Sequence, residues 1–154
     1  MEKKPGVQRE KYLNLAHART PEQIALMQKI EKDGVCPFCA EHFKKYHPKP
    51  IIKETPWWFV TENMSPYQGT KHHFILVYKK KHVSFPSEVS EAGITDLFKL
   101  VAFLIKKYEI PGGSFFMRFG ESKYTGGSVS HLHAHVIMGD ADDPKHEAVR
   151  VKLG

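Results

Sequence analysis

Apolar residues in this chain follow two different periods, and each predicts its own kind of element. Between Ser90 and Tyr108, the residues Ile94, Leu97, Phe98, Val101, Leu104, Ile105 and Tyr108 recur three and four apart, the spacing of one helix face. Glu109-Ile110-Pro111-Gly112-Gly113 ends that helix. An earlier helix is predicted to open at Thr20-Pro21-Glu22-Gln23, with Thr20 as N-cap, Pro21 in the first turn and Gln23 placed to complete a capping box. Ile24, Met27 and Ile30 form its stripe, and Gly34 stops it. Short β-prone runs stand elsewhere: Trp57 to Val60, Phe74 to Tyr78, Phe115 to Phe119 and Val129 to Met138. Turns at Gly69-Thr70 and between Phe119 and Val129 fit hairpins. Residues 1–19 read as an arm or irregular helix, Glu41 to Pro50 as a connector, and Ala148 to Leu153 as a short edge strand. Strand, strand, helix, strand, strand predicts an α+β domain, an antiparallel sheet with a helix across one face.

Composition narrows the class without naming a function. The chain has 154 residues, 41% hydrophobic and 26% charged, as expected of one soluble globular domain. No apolar run approaches the ~20 residues that span a membrane. Met1-Glu2-Lys3-Lys4-Pro5 is followed by no apolar h-region, so a cytoplasmic location is expected. The two cysteines, in Cys36-Pro37-Phe38-Cys39, suggest metal or redox chemistry in a reducing compartment. A net charge of +6 attracts polyanions, nucleotides and RNA among them, with nucleic acid a possible partner but not the favoured one.

The candidate chemistry lies in His131-Leu132-His133-Ala134-His135. Alternation along a strand puts the three imidazoles on one face and Leu132, Ala134 and Val136 on the other. Imidazole serves as base, acid, nucleophile or metal ligand near neutral pH. The preceding Tyr124-Thr125-Gly126-Gly127-Ser128 is a small-residue loop whose amides and Ser128 hydroxyl are suited to an anion. Together they point to chemistry on a phosphate. Cys36 and Cys39 need two more ligands for a closed tetrahedral site, and His42, His47, His72, His73, His82 and His131 are all available.

Gly126-Gly127-Ser128-Val129-Ser130-His131-Leu132-His133-Ala134-His135-Val136-Ile137 resembles the signature of the histidine-triad family of nucleotide hydrolases and transferases. The resemblance runs from about Cys36 to Met138. It divides the chain into an N-terminal arm and helix, 1–34, and a catalytic domain, 35–154. It implies a five-stranded antiparallel sheet and a homodimer that joins two sheets. It further implies that His133 is the nucleophile and that His135 contacts the phosphate or bridging oxygen. Ser128 and the amides of Gly126 and Gly127 would then hold nonbridging oxygens. Asn63, in Asn63-Met64-Ser65-Pro66, would contact the ribose, and His73 or His72 would stand behind the triad. A subset with Cys-x-x-Cys binds structural zinc, implying Cys36, Cys39, His82 and His131 as ligands, with His42 competing for the place of His82. The chain departs from many relatives at Gly127, where they carry Gln, and at Arg118-Phe119-Gly120, where they carry Asn-x-Gly. Strand alternation turns Arg118 away from the core, toward ligand or solvent. Trp57, Trp58 and Phe59 are either core or flanks for a purine.

The expected activity is hydrolysis at the α-phosphorus of a dinucleoside polyphosphate or adenosine phosphoramidate. Nucleotidyl transfer to phosphate, a non-catalytic zinc-containing nucleotide- or RNA-binding module, and a hydrolase using all three histidines as metal ligands are the rival readings.

Overall fold

The computed structural model describes residues 12–154; the expectation of an arm or irregular helix before Tyr12 lies outside the described residues. The chain forms α1 (Pro21–Asp33), α2 (Ala40–Tyr46), β1 (Ile51–Glu54), β2 (Trp58–Glu62), β3 (Thr70–Tyr78), α3 (Glu91–Lys107), β4 (Ser114–Arg118) and β5 (His133–Gly139). The strands make one antiparallel sheet in the order β1-β2-β3-β5-β4. This is the expected α+β architecture, with an N-terminal helical extension.

Period-two alternation separates the two faces of the sheet. Trp58 and Val60, Phe74 and Leu76, and Ala134 and Val136 turn toward α3 and form the main core with Leu97, Leu100 and Leu104. Phe59, Ile75 and Val77 turn the other way and pack against Phe43 of α2. Trp58 is anchored by its Nε1–H, which donates to the Gly93 carbonyl at 2.8 Å. Thr20 caps α1, its Oγ1 accepting from the Gln23 amide at 3.1 Å. The Gln23 side chain accepts from the Arg19 amide rather than closing a box on Thr20.

Three elements differ from the sequence expectation. The fifth strand is β1, not Ala148 to Leu153, which forms no strand. Pro48 and Pro50 hid β1, but proline is tolerated beside an edge strand, and β1 is one. Part of the expected connector is α2, positioned by Phe43 packing tilted against Phe59 and by His47 bonding Thr61 Oγ1 at 3.0 Å. The α3 stripe is also narrower than its apolar residues suggest. Phe98 is 57% and Ile105 45% exposed, because they lie about 100° round the helix from Leu97 and Leu104. Phe98 instead meets Phe115 on the edge strand β4.

Candidate functional site

The histidine row is only partly a strand row. β5 begins at His133, so His133 and His135 share the face opposite α3, while His131 precedes the strand. Hydrogen-bond partners assign a tautomer to each ring. The Tyr67 amide can only donate, so His73 Nδ1 accepts it at 3.1 Å and His73 carries its proton on Nε2. That Nε2–H donates to His135 Nδ1 at 2.9 Å. His135 therefore carries its proton on Nε2, which is buried and has no partner among the described residues. His133 Nδ1–H donates to the His131 carbonyl at 2.6 Å, leaving its Nε2 lone pair bare. One ring thus presents a lone pair and its neighbour a proton, 5.0 Å apart between centroids.

Both rings line a cavity of about 360 Å³ that is also lined by Gly126, Gly127, Ser128 and Arg118. Arg118 sits opposite His133 in the β4–β5 ladder and lines the cavity; alternation turns it away from the core, toward ligand or solvent. Its guanidinium donates to the Thr125 carbonyl, to the Lys152 carbonyl at 2.7 Å and to the Tyr67 hydroxyl at 3.0 Å. The glycines are required by close approach. Gly126 has φ +72°, and a Cβ there would lie 2.6 Å from the Lys152 carbonyl oxygen. A Cβ at Gly127 would lie 2.8 Å from Arg118 Cδ, so Arg118 occupies the space a side chain at 127 would need. The Gly127 amide is already committed to Thr125 Oγ1 at 3.0 Å.

The profile of the family described as HIT domain matches residues 44–142, well over half of the chain. This chain belongs to the HIT domain family. An uncharacterized protein of Archaeoglobus fulgidus is 28% identical over 113 residues, covering 68% of this chain and 33% of that protein. The chain therefore spans about a third of that relative's length. Among solved structures, a histidine triad nucleotide-binding protein from Candida albicans superposes with a TM-score of 0.55 at 17% identity, over 73% of this chain and 80% of that one. A zinc-bound histidine triad family protein from Mycobacterium smegmatis gives 0.53 at 17% identity, over 75% and 82%. At such identities the likeness shows the fold. The HIT domain match begins inside α2, leaving α1 and the cysteine pair outside it.

Beside the triad of this HIT domain, the Cys36, Cys39, His82 and His131 ligand atoms all lie within 4.8 Å of one another and could hold a metal ion. His131 Nε2–H donates to the Tyr78 carbonyl at 2.5 Å, so its Nδ1 lone pair is the one turned to the cysteines. Nδ1 lies 3.2 Å from His82 Nδ1, 3.4 Å from Cys36 Sγ and 3.7 Å from Cys39 Sγ. A tetrahedral ion with ordinary zinc bond lengths sets ligand edges of about 3.3 Å between nitrogens and about 3.6 Å between nitrogen and sulfur. The four residues fit such an ion. Burial pushes the Cys36 thiol up, so a thiolate there calls for a cation beside it. His42 is not in the group and approaches Glu41 instead.

Burial also pushes His73 down from 6.5 to about 4, with the Arg19 charge adding to the shift. His135 is driven down by the same burial, then by His133, His73 and the arginines. Because the folded value of His73 is the lower one, its contribution to stability is complete above pH 6.5. It is lost as the pH falls toward 4, where the unfolded chain binds a proton that the native chain refuses. Each such group removes about 1.4 kcal/mol of stability per pH unit across that window. Urea unfolding at pH 7.5 and 5 is therefore expected to show a steeper loss for wild type than for His73→Asn. Equal pH slopes for the two proteins would contradict this account of His73.

Not every expected residue reaches the cavity. Asn63 Oδ1 accepts from the Ser65 amide at 2.8 Å, and its Nδ2, a donor, lies 3.1 Å from the protonated His73 Nε2 without a hydrogen bond between them, one step behind the cavity wall. Trp58 and Phe59 are buried in the two cores and flank nothing there. The aromatic ring at the cavity is Tyr67, whose plane lies 18° from that of His135. Sequence reading passed over Tyr67, and also Arg19, Arg150 and Lys152, which line the same cavity from outside the HIT match. No motif marks them; only the proline before Tyr67 hinted that its backbone turns there.

Proposed function

We propose that this HIT protein is a nucleotide hydrolase acting at the α-phosphorus through a histidyl-nucleotidyl intermediate on His133. The observation that carries this reading is the opposed pair in one cavity, a bare His133 Nε2 beside the orphaned His135 Nε2–H. The His133 lone pair forms a nitrogen–phosphorus bond while the bond from phosphorus to the leaving group breaks. His135 Nε2–H donates a hydrogen bond to the departing atom and stabilises its developing negative charge, and the leaving group takes its proton from solvent. Water then adds to phosphorus, the nitrogen–phosphorus bond breaks and returns its electron pair to His133 Nε2, and the proton lost by the water passes to solvent. Ser128, the Gly126 amide and Arg118 hold the nonbridging oxygens during both steps. Ribose recognition by Asn63 would require its amide to turn from His73 to the ligand.

Dinucleoside polyphosphates and adenosine phosphoramidates are the proposed substrates, zinc the proposed structural ion and 35–154 the proposed catalytic unit. With zinc bound, Cys36, Cys39, His82 and His131 would brace the turn ahead of β5. A homodimer through α3 and the open edge of β4 would cover Phe98 and Ile105, and so accounts for their exposure. Among the described residues no helix is long and apolar enough to cross a membrane, which is compatible with the proposed cytoplasmic site of action.

The test is product analysis with adenosine 5′-phosphoramidate and diadenosine triphosphate, with and without inorganic phosphate. Adenosine monophosphate is expected from both substrates, whether or not phosphate is present. Formation of ADP only when phosphate is added would favour the phosphorylase, and no turnover at all would favour the binding module. Arg118→Ala is expected to lower kcat/KM for diadenosine triphosphate about 10- to 150-fold more than for the phosphoramidate, the scale of a hydrogen bond to a charged group. Equal losses on both substrates would reduce Arg118 to an anchor for the Thr125 and Lys152 carbonyls.

A further inference from the structure

The cavity is finished by two segments that lie outside the HIT match, one from each end of the chain. Before α1, the Asn14 amide donates to the Ser128 carbonyl at 2.9 Å and the Ser130 amide to the Tyr12 carbonyl at 2.9 Å. Leu13 forms an antiparallel bridge with Val129, so this arm lies along the phosphate loop. His17 Nδ1–H donates to the Gly127 carbonyl at 2.7 Å. Two residues on, Arg19 sits 4.5 Å over the Tyr67 ring and donates to the carbonyls of Ser65 and Pro66. From the other end, residues 150–152 cross the cavity, with the Lys152 carbonyl held by Arg118.

These segments change the charge of the site. Among the described residues, Arg19, Arg118, Arg150 and Lys152 line a cavity with no carboxylate in its wall, while Asp140, Asp143 and Glu147 line the adjoining one that Arg19 and Arg150 share. The groups around Arg19 and Arg118, among the described residues, are carbonyls, a hydroxyl and aromatic rings, which orient a guanidinium without neutralising it. A surface cation is normally free to swing into water or toward an acid. Here Arg19 is fixed by two carbonyls and a ring, facing a second arginine across Tyr67. Holding like charges together is unfavourable until an anion arrives between them. One phosphate at His133 is already served by Ser128 and the loop, so the rim cations are in excess of what a monoanion uses. The volume, about 360 Å³, is that of a small-molecule site.

We propose that the N-terminal arm and the C-terminal tail form a polyphosphate clamp, in which Arg19 and Arg150 select ligands carrying two or more consecutive phosphates. His17 is a positioning residue that holds the phosphate loop to the arm. The proposal rests on reading the cavity as a phosphate site and names the residues that discriminate among phosphates. It also assigns the N-terminal extension a role in ligand choice.

Calorimetric titration of the full chain with inorganic tripolyphosphate and with orthophosphate tests it, without reference to turnover. Wild type is expected to bind tripolyphosphate at least about tenfold more tightly than orthophosphate, and Arg19→Gln and Arg150→Gln each to weaken tripolyphosphate binding about tenfold or more. Orthophosphate affinity should change much less in both variants. Lys106→Gln, an exposed cation at the far end of α3, controls for the loss of one charge from the whole molecule, and thermal melts establish that each variant is folded. If both arginine variants bind tripolyphosphate as Lys106→Gln does, or wild type binds the two anions equally, the clamp is overturned. That result leaves a His133-dependent reaction untouched. Conversely, absence of any nucleotidyl adduct on His133 would overturn the hydrolase reading while leaving the titration result standing.

Discussion

His133→Ala is expected to lower turnover of adenosine 5′-phosphoramidate by at least about a thousandfold, the scale on which removing a catalytic nucleophile acts. Affinity for adenosine monophosphate should stay close to that of wild type. The expectation follows from the division of labour in the cavity. His133 is the ring whose outward nitrogen is bare, because its Nδ1–H is bound to the His131 carbonyl. His135 cannot replace it, since its Nδ1 lone pair is already an acceptor for His73 and its outward nitrogen carries the proton. The groups that would bind the phosphate, Ser128, Arg118 and the loop, belong to other parts of the wall and survive the substitution. Rapid acid-free quenching of wild type with labelled substrate should trap one nucleotidyl group per chain, absent from His133→Ala. Activity of the variant within tenfold of wild type would sink the covalent route.

Cys36→Ser is expected to remove most of the bound zinc from protein purified without chelator and to lower Tm by about 10 °C. A chain of this size loses roughly 2–4 °C per kcal/mol, and a broken metal shell forfeits several kcal/mol of folding energy. Cys36 is buried, and its Sγ lies 3.4 Å from the ring nitrogen of a residue 95 positions away. The ion would therefore tie the cysteine turn to the entry of β5. The same turn carries Phe38, whose ring meets the His133 ring edge-on at 4.9 Å. The His131 backbone supplies the carbonyl that orients His133. Loss of metal should thus reduce kcat as well as stability, with KM less affected. Metal analysis, thermal melts and kinetics of Cys36→Ser separate these effects. A metal-free wild-type protein with an unchanged Tm would disprove the site.

The extent of α3, the two hairpins and the facing of His133 and His135 were legible because each is a local property. Alternation along β5 needs nothing beyond its own residues, and the same rule turns Phe115 and Met117 to the core and Arg118 to the opposite face, whereas Phe119, expected in the core with them, lies past the end of β4 and is exposed. Elements with a mixed pattern were illegible. α2 has one buried face only because Phe59 and Thr61 happen to lie beneath it. The tail from Ala148 onward carries alternating apolar residues, which read as a strand, but it pairs with neither edge of the sheet. It crosses the cavity mouth instead.

The sequence by itself determined that this chain carries two imidazoles on one sheet face behind a small-residue loop, since side-chain direction follows from residue parity once a strand forms. Only the tertiary structure decided what each imidazole presents. Tautomers depend on the carbonyl of Tyr78, the amide of Tyr67 and the ring of His73, which arrive from β3 and the turn before it. Tertiary packing likewise chose His82 over His42 to stand beside the cysteines, and brought Arg19 and Arg150 from opposite ends of the chain to one rim. The physical reason is range. Periodicity is written between near neighbours, whereas the partners that set a proton or gather a charge are set by strand register and packing across the whole domain.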